Sequence, residues 1–201
     1  RVVSYVRAFQ PRCVLPFASF VYFCKEYNTY LNQYSVLPQD IHAILGNEKT
    51  QVCFYGDQIL WNDWEKRNAT NLTKWKEIQA LNKEVIPCQP VSLQEVEESF
   101  VRAFERIPVE MRANKEFKRP FVIGFRDHPG KAMIVSLRDG RSKIRDDVPL
   151  RALDMSVPSE EMLFAFRFPW GFDTLNITAT LNRYSQRSWL FTYTFNQLYQ
   201  R

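Results

Sequence analysis

The stretch that decides the fold of this chain runs from residue 92 to residue 145. It opens with SLQEVEESFVRAFERI at 92–107 and continues with FVIGF at 121–125 and AMIVSLRDGRSKIR at 132–145. In the first segment apolar residues recur every three or four positions, which is the period of a helix with one buried face. The other segments are short apolar runs, and the turn sequence Asp139-Gly140 lies inside the last of them. The stretch therefore predicts a helix followed by strands that include a hairpin.

Sequence signals mark both ends of this helix. Ser92 and Glu95 have the spacing of a capping box, in which a hydroxyl and a carboxylate each bond a free backbone amide of the first turn. Pro108 perturbs or ends the helix, because proline lacks the backbone donor that a helix interior needs. The apolar stripe between them consists of Val96, Phe100, Ala103, Phe104 and Ile107.

The rest of the C-terminal half predicts a mainly antiparallel sheet of five strands within a mixed accessory domain. Proline and acidic residues at 158–161 predict the start of a helix that continues over 162–168. Strict alternation of apolar and polar residues over 175–182 predicts a half-buried strand. The aromatic segment 189–199 predicts a last helix. The five predicted strands are 121–125, 132–137, 142–145, 150–157 and 175–181.

The N-terminal residues 1–61 predict shorter elements. Apolar spacing predicts a helix at 2–9, and Pro38 opens a second helix that ends at Gly46. The remaining predicted elements are a buried strand at 13–17, a loop passing into a helix at 20–31, a short strand at 52–55 and an apolar run at 59–61. Residues 62–91 are polar, end in a proline-rich stretch and predict a linker with some helix at 74–84. We therefore expect domains at 1–61 and 92–201, joined by this linker.

Composition places the chain among globular proteins. Hydrophobic residues make up 45% of the 201 residues and charged residues 24%, with a net charge of +5. The longest apolar run, 14–24, is shorter than the roughly 18 residues of a membrane span, so we expect no span. The basic residues are scattered and no nucleic-acid motif accompanies them, so we expect no nucleic-acid partner. The densest basic stretches, 112–119 and 138–145, can contact an anion, although a solvated surface is the favoured interpretation.

The residues that usually hold metals or act as nucleophiles are sparse. Both histidines, His42 and His128, are far apart in sequence and lack metal-ligand spacing, so we expect no metal and no cofactor in this chain. The four cysteines show no CxxC spacing and are predicted to be reduced, buried thiols. The cysteines are Cys13, Cys24, Cys53 and Cys88. Three N-x-T sequons start at Asn68, Asn71 and Asn176.

The most unusual segment is PFASFVYF at 16–23, which continues through a polar and aromatic stretch to Asn32. A buried strand followed by such a loop is a common way to line a pocket. The candidate pocket residues are Ser19, Tyr22, Glu26 and Asn28. The alternative is an ordinary aromatic core in which Ser19 bonds locally.

The segment from PFASF to Asn32 resembles the last strand and loop of a branch of metallo-β-lactamase-fold hydrolases. That branch is similar to the ascorbate-phosphate lactonases and to the hydrolase-like domain of CMP-sialic acid hydroxylases. The resemblance covers about residues 1–61 and implies the end of an αββα sandwich. It implies zinc or another divalent metal held by histidines of a longer parent protein, upstream of this chain. Ala18 and Ser19 stand near the place where many members carry a histidine, so no metal ligand is carried over.

Residues 92–200 resemble a sterol-carrier-protein-2-like domain, through the order of elements and the segment WGFDTL at 170–175. This resemblance implies an apolar tunnel. The residues implied to line it are Phe100, Phe104, Met133, Met162, Phe166 and Trp170. Ordinary core packing is the alternative for each of them.

These observations together predict an α+β chain that is the C-terminal fragment of a metal-dependent hydrolase. It would form part of the substrate pocket and an accessory or dimerisation domain, without being catalytic alone. Expected partners are the upstream catalytic portion and a second copy of the chain, and the absence of a signal peptide predicts a cytoplasmic location. One alternative is a non-catalytic binding module for an apolar ligand or a protein. Another is an independent enzyme that uses carboxylates such as Asp57, Asp63 or Glu65.

Overall fold

The computed structural model describes residues 2–16, 22–46, 49–58, 64–81 and 83–197, with the backbone alone at 64–66. The architecture is mixed helix and strand. The α-helices are Val2–Phe9 (α1), Pro38–Leu45 (α2), Trp64–Ala80 (α3), Leu93–Glu105 (α4), Val109–Arg112 (α5), Ser159–Arg167 (α6), Gly171–Ile177 (α7) and Arg187–Gln197 (α8). Short 3-10 helices span Thr29–Tyr34, Lys115–Lys118 and Leu150–Ala152.

The strands form one mixed sheet. They are Phe121–Phe125 (β1), Ala132–Val135 (β2), Ser142–Arg145 (β3), Met155–Val157 (β4) and Asn182–Arg183 (β5). Their order is β3-β2-β1-β4-β5. β1 pairs with β2, β2 with β3, and β4 with β5 in antiparallel fashion, while β1 and β4 are parallel. The sheet is therefore mainly antiparallel, with a crossover between β1 and β4.

The chain divides into two compact units. The N-terminal unit consists of residues Arg1–Cys24 and Thr29–Val85, and the C-terminal unit of Lys25–Asn28 and Ile86–Arg201. Helix α3 occupies much of the segment in which we predicted a linker, and it belongs to the N-terminal unit. The short segment 25–28, by contrast, groups with the C-terminal unit.

The C-terminal unit is built around an aromatic core. Rings of α4, α6, α7 and α8 pack with centroid separations between 4.9 and 6.5 Å, mostly edge to face. The central rings are Phe100, Phe166, Phe172, Phe191 and Phe195. On the sheet, Phe121, Ile123 and Met133 complete the core. Strands β1, β2 and β4 are buried along most of their length, and they meet the apolar faces of the helices in this cluster.

Several predicted elements are confirmed. The helix at 2–9 and the helix from Pro38 to Gly46 are present as α1 and α2. The helix of the deciding stretch is α4, and its whole predicted apolar stripe is buried. The hairpin is also confirmed, because Asp139-Gly140 lies at the turn between β2 and β3. The helices predicted after residue 158 and near the C-terminus are α6 and α8.

The predicted strand at 175–181 is wrong. Residues Gly171–Ile177 form helix α7 instead, and the fifth strand is limited to Asn182–Arg183. Phe172 and Leu175, three positions apart, are both buried, which is a helical period. The hydroxyls of Thr174 and Thr178 bond carbonyls four residues earlier, at 3.1 and 2.7 Å. Tertiary packing of these residues has overridden the alternating pattern.

Other predictions fail locally. Ser92 is the N-cap of α4, but its side chain makes no cap bond, and Glu95 pairs with Arg167 of α6 rather than with the first turn. No strand forms at 52–55 or at the described residues of 13–17, where Val14 makes only an isolated bridge to Thr50. The predicted strand at 150–157 is a 3-10 helix followed by the shorter β4. The run at 59–61 lies outside the described residues.

The cysteines are confirmed as free thiols, but they are half-buried rather than buried. Burial raises the pKa of Cys13, Cys53 and Cys88 above the usual thiol value. A raised pKa keeps a thiol protonated at neutral pH, so none of these three is set up as a nucleophile.

Candidate functional site

The four predicted pocket residues fall in different parts of the chain. Ser19 lies outside the described residues. Tyr22 belongs to the N-terminal unit, whereas Glu26 and Asn28 belong to the C-terminal unit. Tyr22 lines a cavity of about 250 Å³ within the N-terminal unit. The other residues of this cavity are Asn32, Ser35, Leu37, Trp75, Ile78, Gln79 and Lys83.

One wall of the cavity is fixed by a side-chain amide. Asn32, on the 3-10 helix Thr29–Tyr34, accepts a hydrogen bond from the backbone N–H of Phe23 and donates one to its carbonyl, each at 2.8 Å. These two hydrogen bonds imitate the pairing of two strands. The backbone next to Tyr22 is therefore fixed at the cavity.

The opposite wall is helix α3. Trp75, Ile78 and Gln79 have the i, i+3, i+4 spacing of one helix face. The indole N–H of Trp75 donates to the carbonyl of Cys53 at 3.0 Å, and its ring lies 5.2 Å from that of Phe54. Gln79 joins Gln39 of α2 through a side-chain bond of 2.7 Å. The polar groups of Trp75 and Gln79 thus attach this helix face to neighbouring segments of the unit.

Two asparagines tie α3 to the segment 50–53. Asn68 accepts from the N–H of Val52 at 2.7 Å and donates to the carbonyl of Thr50 at 2.6 Å. Asn71 donates to the carbonyl of Val52 at 2.8 Å. Both amides are buried, so in this fold neither of these two sequons presents its side chain for glycosylation.

Lys83 gives the cavity its only charge among the described lining residues. Its ammonium lies 4.4 Å from the centroid of the Tyr22 ring, a cation–π contact. The remaining surface is aromatic, aliphatic or amide. A ligand that matches this surface has an apolar body and one anionic group near Lys83.

Among the described residues, the cavity lining contains no His, Cys, Asp or Glu that could ligate a metal or act as a general base beside Ser35. Over the whole described part of the chain, no cluster of three or more such side chains is arranged to hold a metal ion. The metal that the metallo-β-lactamase resemblance implies therefore finds no fitting ligand set here. The arrangement suits binding, and we derive no hydrolytic step from it.

Glu26 and Asn28 lie on a short strap, residues 25–28, that belongs to the C-terminal unit. The Glu26 carboxylate accepts from the backbone N–H of Cys88 at 3.1 Å. Asn28 is 4% exposed and donates to the carbonyl of Thr178 at 3.2 Å. Lys25 pairs with Glu160 at 3.1 Å, and Tyr27 bonds Glu161 at the start of α6. These contacts attach the strap to its own unit, so both predicted pocket residues hold structure there.

A carboxylate beside the strap caps helix α6. Asp127 accepts bonds from the backbone N–H of Ser159 at 2.9 Å and from its hydroxyl at 2.5 Å. The thiol of Cys88 lies 3.8 Å from the same carboxylate. Burial, followed by the charge of Asp127, raises the pKa of Cys88 to about 12. The cluster is thus a helix cap with a protonated thiol rather than an activated nucleophile.

The predicted apolar tunnel residues lie mainly in the packed core. Five of them are buried in the core cluster, namely Phe100, Phe104, Met133, Met162 and Phe166. Trp170 is 58% exposed and stacks near Phe168 instead. The cavities described for this unit are lined by other residues. The tunnel stays a prediction, and the contacts seen are those of core packing.

Sequence reasoning missed most of the cavity. Trp75, Ile78 and Gln79 lie in the helix that the sequence predicts at 74–84, but nothing in their composition marks them as cavity residues. In the sequence Asn32 marks only the end of the aromatic segment. Lys83 carried no signal, because a single lysine near a helix end is ordinary surface composition.

Comparison of the chain with protein-family models, with curated proteins and with solved structures finds no match in any of the three. The described helices include none with both the length and the apolar character that a membrane crossing requires.

Proposed function

We propose that this chain is the C-terminal part of a metallo-β-lactamase-fold hydrolase and that it supplies one wall of the substrate pocket. The carrying observation is the cavity beside Tyr22, which follows the PFASF segment on which the resemblance rests. On this proposal the metal and its ligands belong to an upstream portion of the protein. The chain alone then binds part of a substrate and does not hydrolyse it.

The exposure of apolar side chains in the N-terminal unit supports the proposal. Among the described residues of this unit, only Ile41 and Val52 are buried hydrophobic residues. Large apolar side chains are instead exposed on α1, on α2 and in the loops. They include Tyr5, Phe9, Tyr34, Ile44 and Tyr55. Such a surface is expected where the upstream part of the same sandwich covers it.

The lining of the cavity supports a substrate class. An aromatic or aliphatic body would pack on Trp75 and Ile78, and an anionic group would pair with Lys83. Hydrolysis of an ester or a lactone releases a carboxylate, so the product of such a reaction has this composition. The role of the wall is to orient the substrate while excluding water from its apolar part.

Elemental analysis tests the first part of this proposal. We expect zinc or another divalent metal in the longest product of the reading frame and none in the purified 201-residue chain. Stoichiometric metal in the 201-residue chain would contradict the split arrangement. Metal in neither form would contradict the hydrolase and would favour a non-catalytic binding module, a role that the cavity without catalytic groups also suits.

A binding measurement tests the pocket. Phenylacetate, which has an aromatic body and a carboxylate, is titrated into the chain while tryptophan fluorescence is followed. We expect Lys83→Met to weaken binding by about fivefold, the range of an exposed ion pair. Lys76→Met is the matched control, since Lys76 is exposed on α3 and does not line the cavity. Equal loss in both variants, or no binding by the unmodified chain, would contradict the assignment.

A further inference from the structure

Two basic stretches that are distant in sequence meet at one groove of the C-terminal unit. The groove has a volume of about 510 Å³. Lys118 comes from the first stretch, and Arg138, Arg141 and Lys143 come from the second. Asp139 is the only carboxylate among the described residues that line it. The two stretches therefore form one positively charged surface, which shares no residue with the cavity of the N-terminal unit.

The backbone that carries these cations is anchored. Phe117 is buried and packs against Phe121, which fixes the 3-10 helix that ends at Lys118. In the hairpin, Leu137 is buried beside Arg138. Lys143 is held in register with Ile134 by the pairing of β2 and β3. The charged side chains are exposed, but their Cα positions are set by the core.

The charges of the groove are not internally cancelled. Arg141 pairs with Asp139 at 2.5 Å and also donates its Nε to the same carboxylate at 2.7 Å. Hydrogen bonds from the side chains of Arg141 and Ser136 lower the pKa of Asp139 to about 2, so this pair stays charged at neutral pH. No carboxylate of the described residues forms an ion pair with Lys118, Arg138 or Lys143. Three cations are left to face the groove.

The composition of the lining selects among anionic ligands. Guanidinium and ammonium groups, together with the hydroxyls of Ser136 and Ser142, are donors suited to phosphate oxygens. The described lining has no aromatic side chain on which a base would stack, as single-stranded nucleic-acid sites have. The volume exceeds that of one phosphate group, and the three unpaired cations lie on two separate segments.

We propose that this groove binds a small soluble anion that carries two or more phosphoryl groups. The cations of the hairpin hold one phosphoryl group, and Lys118 holds the other. The site is independent of the cavity in the N-terminal unit and of any hydrolytic function, because none of its residues belongs to that cavity.

Calorimetric titration with tripolyphosphate tests the proposal on the intact chain. We expect saturable binding that is about tenfold weaker in the double variant Arg138→Gln/Lys143→Gln, since two exposed ion pairs are lost. The matched control is Arg151→Gln/Lys76→Gln, which removes the same charge from exposed positions outside the groove. We expect the control to change affinity by less than about twofold, because removal of distant charges is screened by salt.

Each other outcome overturns the proposal. Absence of binding by the unmodified chain would show that the groove does not bind this anion. An equal loss in both double variants would show that only general charge attraction acts. A second arm uses vesicles that contain an anionic phospholipid. Groove-dependent binding to vesicles without binding of free tripolyphosphate would assign the surface to a lipid headgroup instead. Circular dichroism of each variant confirms that loss of binding is not loss of fold.

Discussion

The two compact units of this chain are stabilised by different kinds of interior. Of the hydrophobic residues that are buried in the described part of the chain, most lie in the C-terminal unit, with phenylalanine rings in mutual contact. The described part of the N-terminal unit relies on buried amides, such as Asn68 and Asn71, that bond neighbouring backbone. Apolar burial supplies roughly 25 cal/mol per Å² of surface, whereas a hydrogen bond made on folding contributes only about 1 kcal/mol net. The C-terminal unit is therefore expected to be the more stable of the two.

This contrast bears on function. Among the described residues of the N-terminal unit few hydrophobic side chains are buried and several aromatic side chains are exposed, which agrees with the proposed upstream partner. The C-terminal unit has an aromatic core of its own. The comparison predicts that changes in the two units will have effects of different size and of different physical origin.

The largest effect is expected from the aromatic core. Phe166 contacts four other rings, so Phe166→Ala should lower the free energy of unfolding of the C-terminal unit by about 3–5 kcal/mol. Hydrogen exchange with mass spectrometry measures this for each unit separately. Phe168→Ala is the control, because Phe168 is 41% exposed, and it should cost much less. Similar costs for both variants would show that the core is loosely packed.

A smaller effect is expected from the buried amides of the N-terminal unit. Asn68→Ala leaves the N–H of Val52 and the carbonyl of Thr50 without their partner, at a cost of about 2–3 kcal/mol. The rate of backbone amide hydrogen exchange, measured by mass spectrometry, should increase at residues 50–53 and in α3. Thr70→Ala, at an exposed position of the same helix, is the control and should change little. If Asn68→Ala has no effect, the amide clamps do not hold this unit together.

Two glycines allow the difference in packing to be measured directly. Gly56 and Gly140 both have positive φ, at 84° and 74°. An added Cβ at Gly56 meets nothing within 4 Å, whereas at Gly140 it lies 2.5 Å from the ring of Phe104. Both alanine substitutions pay for backbone strain of about 1 kcal/mol, and only Gly140→Ala adds overpacking of about 1–2 kcal/mol. Thermal unfolding of both variants should show this difference, and equal shifts in midpoint would contradict it.

The sequence predicts the C-terminal unit better than the N-terminal one for a physical reason. Helix α4 and the β2–β3 hairpin are specified by local signals, namely an apolar stripe and an Asp-Gly turn, that agree with their tertiary packing. Helix α7 is not specified by local signals, because its alternating residues favour a strand. Only the packing of Phe172 and Leu175 selects the helix. In the N-terminal unit the sequence predicts a strand at 52–55, but the backbone of Val52 bonds to the side chains of Asn68 and Asn71 instead of to a neighbouring strand.

The candidate sites are likewise predictable only where the signal is local in sequence. The concentration of aromatic residues around Tyr22 predicts it as a pocket residue. The phosphoryl groove was visible as two basic stretches, but only the fold shows that Lys118 and Lys143 line one surface. Pairings of this kind depend on sheet register, which a single sequence does not specify.

The smallest effect on stability, and the sharpest chemical test of the comparison, concerns the cysteines. Cys88 has a pKa of about 12, because of burial and the nearby Asp127, so at pH 8.5 it should be alkylated by iodoacetamide more than about tenfold more slowly than in the denatured chain. The unfolded thiol ionises near pH 8.5 and releases its proton before the folded one does. Native Cys88 therefore keeps its proton where the unfolded state has lost it, and its contribution to stability falls as pH rises from about 8.5 towards 12.

Cys13 and Cys53 extend this test to the N-terminal unit. Burial raises the pKa of both thiols as well, so they too should react slowly while folded. If the N-terminal unit opens more often, as the few buried hydrophobic residues of its described part predict, these two residues will be alkylated before Cys88 at the same pH. Peptide mass spectrometry over time gives the order of reaction. Labelling of Cys88 first would reverse the predicted stability order of the two units and would count against the proposed upstream partner.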